Sequence, residues 1–278
     1  VTSRAALGLQ APEIQVEVHL SQGLPALTIV GLPEAAVRES KDRVRSAIIN
    51  SGFEFPNRRL TINLAPADLP KDGARLDLPI ALVILAASGQ LSDSSLVDKE
   101  FVGELALNGD LRPIPGVMAV ARATHLAKRT LLVPKDNGIE AARIPNVQVF
   151  AAATLKQICA HLEQVELLPT IQHEPIKQQI NLPDMADVKG QHRARRALEI
   201  AAAGGHSLLF SGSPGTGKTL LASRLPGILP PLTDDESLEV ASVYSIANHH
   251  IEFGQRPFRA PHHTASAAAL VGGGSKPR

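Results

Sequence analysis

From Gly212 to Thr219 the chain reads Gly-Ser-Pro-Gly-Thr-Gly-Lys-Thr, preceded by the apolar run Leu208, Leu209, Phe210 and followed by helix-forming residues from Leu220 to Leu225. Strand, glycine-rich loop and helix in that order match the phosphate-binding pattern G-x-x-x-x-G-K-[ST], known as Walker A. Gly212, Gly215 and Gly217 permit backbone angles and close approaches that a Cβ would block. The loop Gly212, Ser213, Pro214, Gly215, Thr216, Gly217 can then turn its N–H groups inward at the positive end of the following helix. Lys218 is expected to reach the β- and γ-phosphates of ATP, and the Thr219 hydroxyl to ligate a Mg²⁺ shared with them.

The elements that must position this loop are legible on both sides of it. Asp187-Val188-Lys189-Gly190-Gln191 opens a helix read from His192 to Ala203, carrying Arg193, Arg195 and Arg196. Between Glu166 and Pro183 the pattern dissolves into a proline-interrupted stretch with no sustained period, which reads as a linker. We therefore expect domains at 1–165 and 184–278, with a linker over 166–183. In the first, Ile14, Val16, Val18 and Leu20 alternate with Glu13, Gln15, Glu17 and His19 as in a half-buried strand. Further strands are expected at Ala26 to Val30, Leu60 to Leu64, Leu131 to Val133 and Val147 to Phe150, interleaved with helices at Glu34 to Asn50, Pro79 to Ser88, Val117 to Ala127 and Leu155 to Leu162. Asn108-Gly109 reads as a hairpin turn and Asp77 as a helix N-cap. The interleaving makes the class α/β of mixed topology.

Bulk composition narrows the partners less than the loop does. Lys and Arg total 28 against 27 Asp and Glu, so nucleic-acid binding would have to come from local basic patches. The single cysteine, Cys159, cannot form an internal disulfide, which suits a reducing compartment and a cytoplasmic protein. The apolar run Leu78 to Ala87 is about half the length of a membrane-spanning helix, so no membrane partner is expected.

Asp187-Val-Lys-Gly-Gln191 followed by the glycine-rich loop resembles the opening of an AAA+ ATPase module. In that superfamily the first element packs on the adenine, a role the resemblance carries to Val188 and Gly190. Ala203-Gly-Gly-His206 and Arg256-Pro-Phe-Arg-Ala-Pro-His-His-Thr264 resemble the magnesium-chelatase-like branch. The first domain resembles the proteolytic domain of Lon, of the ribosomal S5 domain 2-like fold, through Leu69-Pro-Lys-Asp-Gly73 and Gly103-Glu-Leu-Ala-Leu-Asn-Gly-Asp-Leu-Arg-Pro-Ile-Pro-Gly-Val117. Laid over Lon's dyad, the serine position falls on Arg75 and the lysine position on Met118. Neither can serve, so a scaffold without peptidase chemistry is expected, with Arg75 paired to Asp72 or Asp77. A Lon-like domain before a partial AAA+ module is the architecture of the YifB/ComM family, which the chain resembles over nearly its whole length. The resemblance implies a homo-oligomeric, hexameric motor that uses ATP and Mg²⁺ to promote branch migration of DNA during natural transformation.

Hydrolysis also needs a carboxylate pair at the end of a second apolar strand. None is read after Thr219: Asp234-Asp235-Glu236 follows Pro230-Pro231 and reads as a loop and helix N-terminus. The resemblance puts the Walker B strand and arginine finger past Arg278, so catalytic residues stay unassigned and the chain reads as part of a longer protein. Arg256, Arg259, His262, His263 and Lys276, with the glycine run Gly272 to Gly274, are candidates to follow the phosphate backbone of single-stranded or branched DNA. Ordinary surface loops and subunit contacts are the alternative for this segment. For the whole protein the alternatives are a chelatase motor subunit for metal insertion, a nucleotide-binding adaptor without hydrolysis, and an ATP-dependent protease that Arg75 and Met118 disfavour.

Overall fold

The computed structural model describes residues 1–71, 73–171, 182–247, 253–262 and 264–272. The chain divides into two compact units, Val1–Pro175 with Ser242–His249, and Ile176–Ala241 with His250–Arg278.

The first unit is built on strands β1 (Thr2–Arg4), β2 (Glu13–Ser21), β3 (Ala26–Val30), β4 (Arg59–Ala65), β5 (Lys99–Phe101), β6 (Glu104–Leu105), β7 (Leu111–Arg112), β8 (Thr130–Pro134) and β9 (Gln148–Ala152). Its helices are α1 (Ala35–Asn50), α2 (Asp77–Ala87), α3 (Val117–Leu126), α4 (Gly138–Ala141) and α5 (Leu155–Leu162). Seven strands form one mixed sheet in the order β3-β4-β2-β1-β5-β8-β9. β3 and β4 run parallel, connected through α1, and β5, β8 and β9 run parallel, connected through α3 and α4. Such crossovers are what parallel neighbours require. The fold is therefore mixed α/β.

Alternation decides which face is covered. Ile14 and Val16 of β2 and Leu60, Ile62 and Leu64 of β4 are fully buried against Val37, Val44, Ala47 and Ile48 of α1 and against α2, which is apolar after its first residue. His19 lies on the open side, exposed. The Asn108-Gly109 turn joins β6 to β7 with Gly109 at φ +90°, where an added Cβ would stand 2.3 Å from Ser51 Oγ.

Two expectations are corrected here. Asp77 is the first residue of α2, not its cap. Its buried carboxylate accepts from Ser40 Oγ at 2.5 Å, Arg43 Nε at 2.8 Å and the Leu105 N–H at 3.2 Å. Burial pushes its carboxyl above the usual aspartate range, against the pull of Arg43 and Ser40. At Asp77 it is therefore Arg43 and not Arg75 that pairs, because α1 packs over α2 and brings its guanidinium to the helix start. Arg75 is itself buried and donates to the Pro115 carbonyl at 3.1 Å; Asp72 lies outside the described residues.

The second unit contains α6 (His192–Gly204), α7 (Lys218–Ile228) and α9 (Ala267–Val271), and α8 (Asp234–Ile246) starts in it. Met185, Val188, Leu198 and Leu221 form its apolar cluster, with Phe210 packed against them. α8 begins at Asp234 behind a reciprocal cap: Thr233 N–H donates to Glu236 Oε2 at 2.8 Å, and Glu236 N–H to Thr233 Oγ1 at 3.2 Å. These bonds hold the Glu236 carboxyl below the usual range. The strand expected at Leu208 to Phe210 does not form. A strand exists only in a ladder, and among the described residues none pairs with this run, leaving Leu209 89% exposed.

Candidate phosphate-binding site

The loop between Phe210 and α7 is shaped by its glycines. Gly215 and Gly217 sit at φ +79° and +82°, a left-handed conformation that L side chains seldom adopt. Gly217 caps α7, so the positive end of that helix and the first-turn residues Lys218 and Thr219 face the loop together. Thr219 is exposed. The Lys218 ammonium folds over the loop, donating to the carbonyls of Gly212 at 2.9 Å and Ser213 at 2.7 Å. Thr216 Oγ1 closes the loop from the other side by donating to the Ser213 carbonyl at 2.9 Å. Pro214 is exposed at the loop's tip, in the only position there with no N–H to offer.

This donor set fits a polyphosphate. It combines a helix N-terminus, left-handed glycines, and an ammonium held by neutral oxygens, two carbonyls and the Thr216 hydroxyl at 3.5 Å, for which phosphate oxygens are a stronger acceptor. The same first turn offers Thr219 as a hydroxyl ligand for a hard cation.

The expected adenine-side residues flank this loop. Val188 is 3% exposed within the apolar cluster, and Gly190 stands at φ +68° with open space around it. Two ties fasten their segment to the loop and its helix: Arg224 Nη2 of α7 pairs with Asp187 Oδ2 at 3.1 Å, and Gln191 Nε2 donates to the Thr216 carbonyl at 3.3 Å. Neither tie was read from sequence. Asp187 and Arg224 are 37 positions apart with no periodicity linking them, and a glutamine after a glycine gives no sign of where its amide points.

Both halves of the chain match family models. Residues 16–137 match one described as subunit ChlI of Mg-chelatase, and residues 184–278 match one described as magnesium chelatase, subunit ChlI. The chain is 53% identical over 284 residues to a Salmonella typhimurium protein named YifB, covering all of this chain and 55% of that protein. It is 52% identical over 287 residues to the competence protein ComM of Haemophilus influenzae, covering all of this chain and 56% of ComM. A Mycobacterium tuberculosis protein is 42% identical over 278 residues, covering 98% of this chain and 55% of that protein. The chain belongs to the YifB/ComM family. It spans about half the length of these curated YifB/ComM relatives.

Three of the five candidate DNA-contacting residues of this YifB/ComM chain lie in the described stretch 253–262. Arg256 donates from Nε to the Pro230 carbonyl at 2.8 Å, Arg259 is exposed, and exposed His262 stands with Nδ1 2.7 Å from Thr264 Oγ1. His263 and Lys276 lie outside the described residues, as do His249, His250, Gly273 and Gly274. Among the described residues no group of three or more His, Cys, Asp or Glu is placed to hold a metal ion, and no helix is long and apolar enough to cross a membrane.

Proposed function

We propose that this chain is the nucleotide-binding part of an AAA+ ATPase that drives a DNA motor of the helicase or branch-migration type, acting in recombination during natural transformation. The carrying observation is the glycine-rich loop, whose Lys218 bridges two loop carbonyls at the head of α7. The name of the Haemophilus relative, a competence protein, supports the choice of DNA over other loads.

In this reading Gly212, Ser213, Pro214, Gly215, Thr216 and Gly217 line the phosphates, Lys218 exchanges its carbonyl acceptors for phosphate oxygens, and Thr219 holds Mg²⁺. Val188 and Gly190 border the base. Bound Mg·ATP supplies the phosphoanhydride whose cleavage powers movement. The first unit is a Lon-like, S5 domain 2-like scaffold over 1–165 with no dyad, since buried Arg75 and Met118 stand at the overlaid positions. Residues 166–183 link it to the module over 184–278. Arg256, Arg259, His262, His263 and Lys276 belong to elements that track phosphate in the pore of a cytoplasmic hexamer.

One observation favours a second reading. Both family models carry a chelatase subunit's description, including the one over residues 16–137. ATPase activity of the full-length protein separates the two. Stimulation by forked or three-stranded DNA supports the motor; stimulation only by porphyrin-binding partner subunits supports the chelatase; indifference to both leaves an adaptor.

A further inference from the structure

Gln191 occupies the N-cap of α6 in a left-handed conformation, at φ +51° and ψ +36°. That position ordinarily takes Ser, Thr, Asp or Asn with a side chain turned onto the helix's own N–H groups. A non-glycine residue at positive φ is uncommon and carries a conformational cost. Here no side-chain cap bond forms. The preceding Gly190 is also left-handed, at φ +68°, so the chain turns twice in succession and swings the Gln191 amide away from α6. The amide reaches the Thr216 carbonyl instead, at 3.3 Å.

That carbonyl belongs to the peptide joining Thr216 to Gly217. In a trans peptide the C=O and the following N–H point in opposite directions. A donor that holds the Thr216 carbonyl therefore fixes the Gly217 N–H on the far side of the peptide plane, in the residue that caps α7. The segment carrying Gln191 is in turn anchored to α7 by the Asp187–Arg224 pair and by Val188, which shares an apolar cluster with Leu221.

We propose that Gln191 is a positioning residue for the phosphate loop, setting the orientation of the Thr216–Gly217 peptide so that its N–H is presented to a nucleotide polyphosphate. This rests on the ATP-binding reading above, and it assigns a role in phosphate binding to a residue on the adenine-side element. The asymmetry between Asn and Gln tests it. Asparagine tolerates the left-handed conformation and caps helices well, but it is one methylene too short to reach Thr216.

The experiment measures Mg²⁺-dependent binding of a fluorescent ATP analogue to the full-length protein, with the thermal midpoint of each ligand-free variant. Gln191→Asn is expected to bind about two- to tenfold more weakly, the worth of one neutral hydrogen bond, at an unchanged or higher midpoint. Gln191→Glu, which sets a carboxylate against the carbonyl, is expected to lose more. Lys218→Ala serves as the reference. If Lys218→Ala loses binding while Gln191→Asn binds like the parent, the positioning role is wrong and the ATP site stands. A Gln191→Asn loss matched by a falling midpoint likewise overturns the role in favour of a structural one. If Lys218→Ala itself binds like the parent, the ATP site falls and the inference with it.

Discussion

In the first unit Glu100 is fully buried and accepts from Arg4 at 2.7 and 2.5 Å, Thr124 at 2.6 Å and Arg129 at 3.0 Å, so strands β1 and β5, helix α3 and the start of β8 are fastened through one carboxylate. In the second unit the side chains around the loop are at least partly exposed and several of them donate to backbone carbonyls: Lys218 to Gly212 and Ser213, Gln191 to Thr216, Arg256 to Pro230. A buried carboxylate cannot lose a donor without leaving charge unmatched in a poorly polarisable interior. A surface ammonium on a neutral carbonyl can change acceptors at little cost. The first arrangement is that of a scaffold, and the second leaves side chains free to exchange acceptors, as the proposed phosphate site requires.

Substitutions should therefore separate stability from nucleotide binding. The largest effect is expected from Glu100→Ala, which leaves buried Arg4 with one carboxylate, Glu13 at 3.9 Å, and takes from Arg129 one of its two carboxylates. It should lower unfolding stability by about 3–5 kcal/mol, as loss of one member of a buried pair does. Denaturant unfolding measures this, and unchanged stability would break the contrast. Asp187→Asn in the second unit opens a pair whose acid is 56% exposed. Its cost should stay below about 1 kcal/mol, as for other exposed pairs. A larger loss would mean that the two units treat charge alike.

The smallest effect sharpens the contrast through pH. Lys71 of the first unit is fully buried, its ammonium donating to the Pro66 carbonyl. Burial holds its pKa below the lysine value of 10.5, with Asp68 pulling the other way. The folded state therefore binds this proton less readily than the unfolded state. The resulting penalty is complete below the folded pKa and disappears as pH rises to the unfolded value. The thermal midpoint of Lys71→Met minus that of the parent should fall as pH is raised from neutral towards 10.5. A flat difference would show that the ammonium is solvated in the fold.

Local signals carried much of this architecture. α5 runs from Leu155 to Leu162 as its spacing predicts, because Thr154 caps it through the Gln157 N–H and its buried face repeats with helical period. The turn into α7 was legible too, since Gly215 and Gly217 mark the left-handed positions directly before the helix. β1 was not. Its three residues become a strand only because β2 pairs on one side and β5 on the other. Leu208 to Phe210 shows the converse, an apolar run with strand character and no ladder among the described residues. Asp77 was misassigned for a related reason: a carboxylate at a helix start reads as a cap until α1 brings Ser40 and Arg43 to it. The ties at Asp187 and Gln191 exist only once α6, α7 and the loop are folded together.

The most direct measurement is the thermal midpoint of the full-length parent and of Lys218→Ala, each with and without Mg·ATP. The parent should gain stability with ATP concentration, as any ligand bound only by the folded state requires. Lys218→Ala should match the parent's ligand-free midpoint and show an ATP response displaced to at least about 100-fold higher concentration, the scale of a lost charge-stabilising donor. Equal responses in the two proteins would contradict the assignment of the phosphate site to this loop.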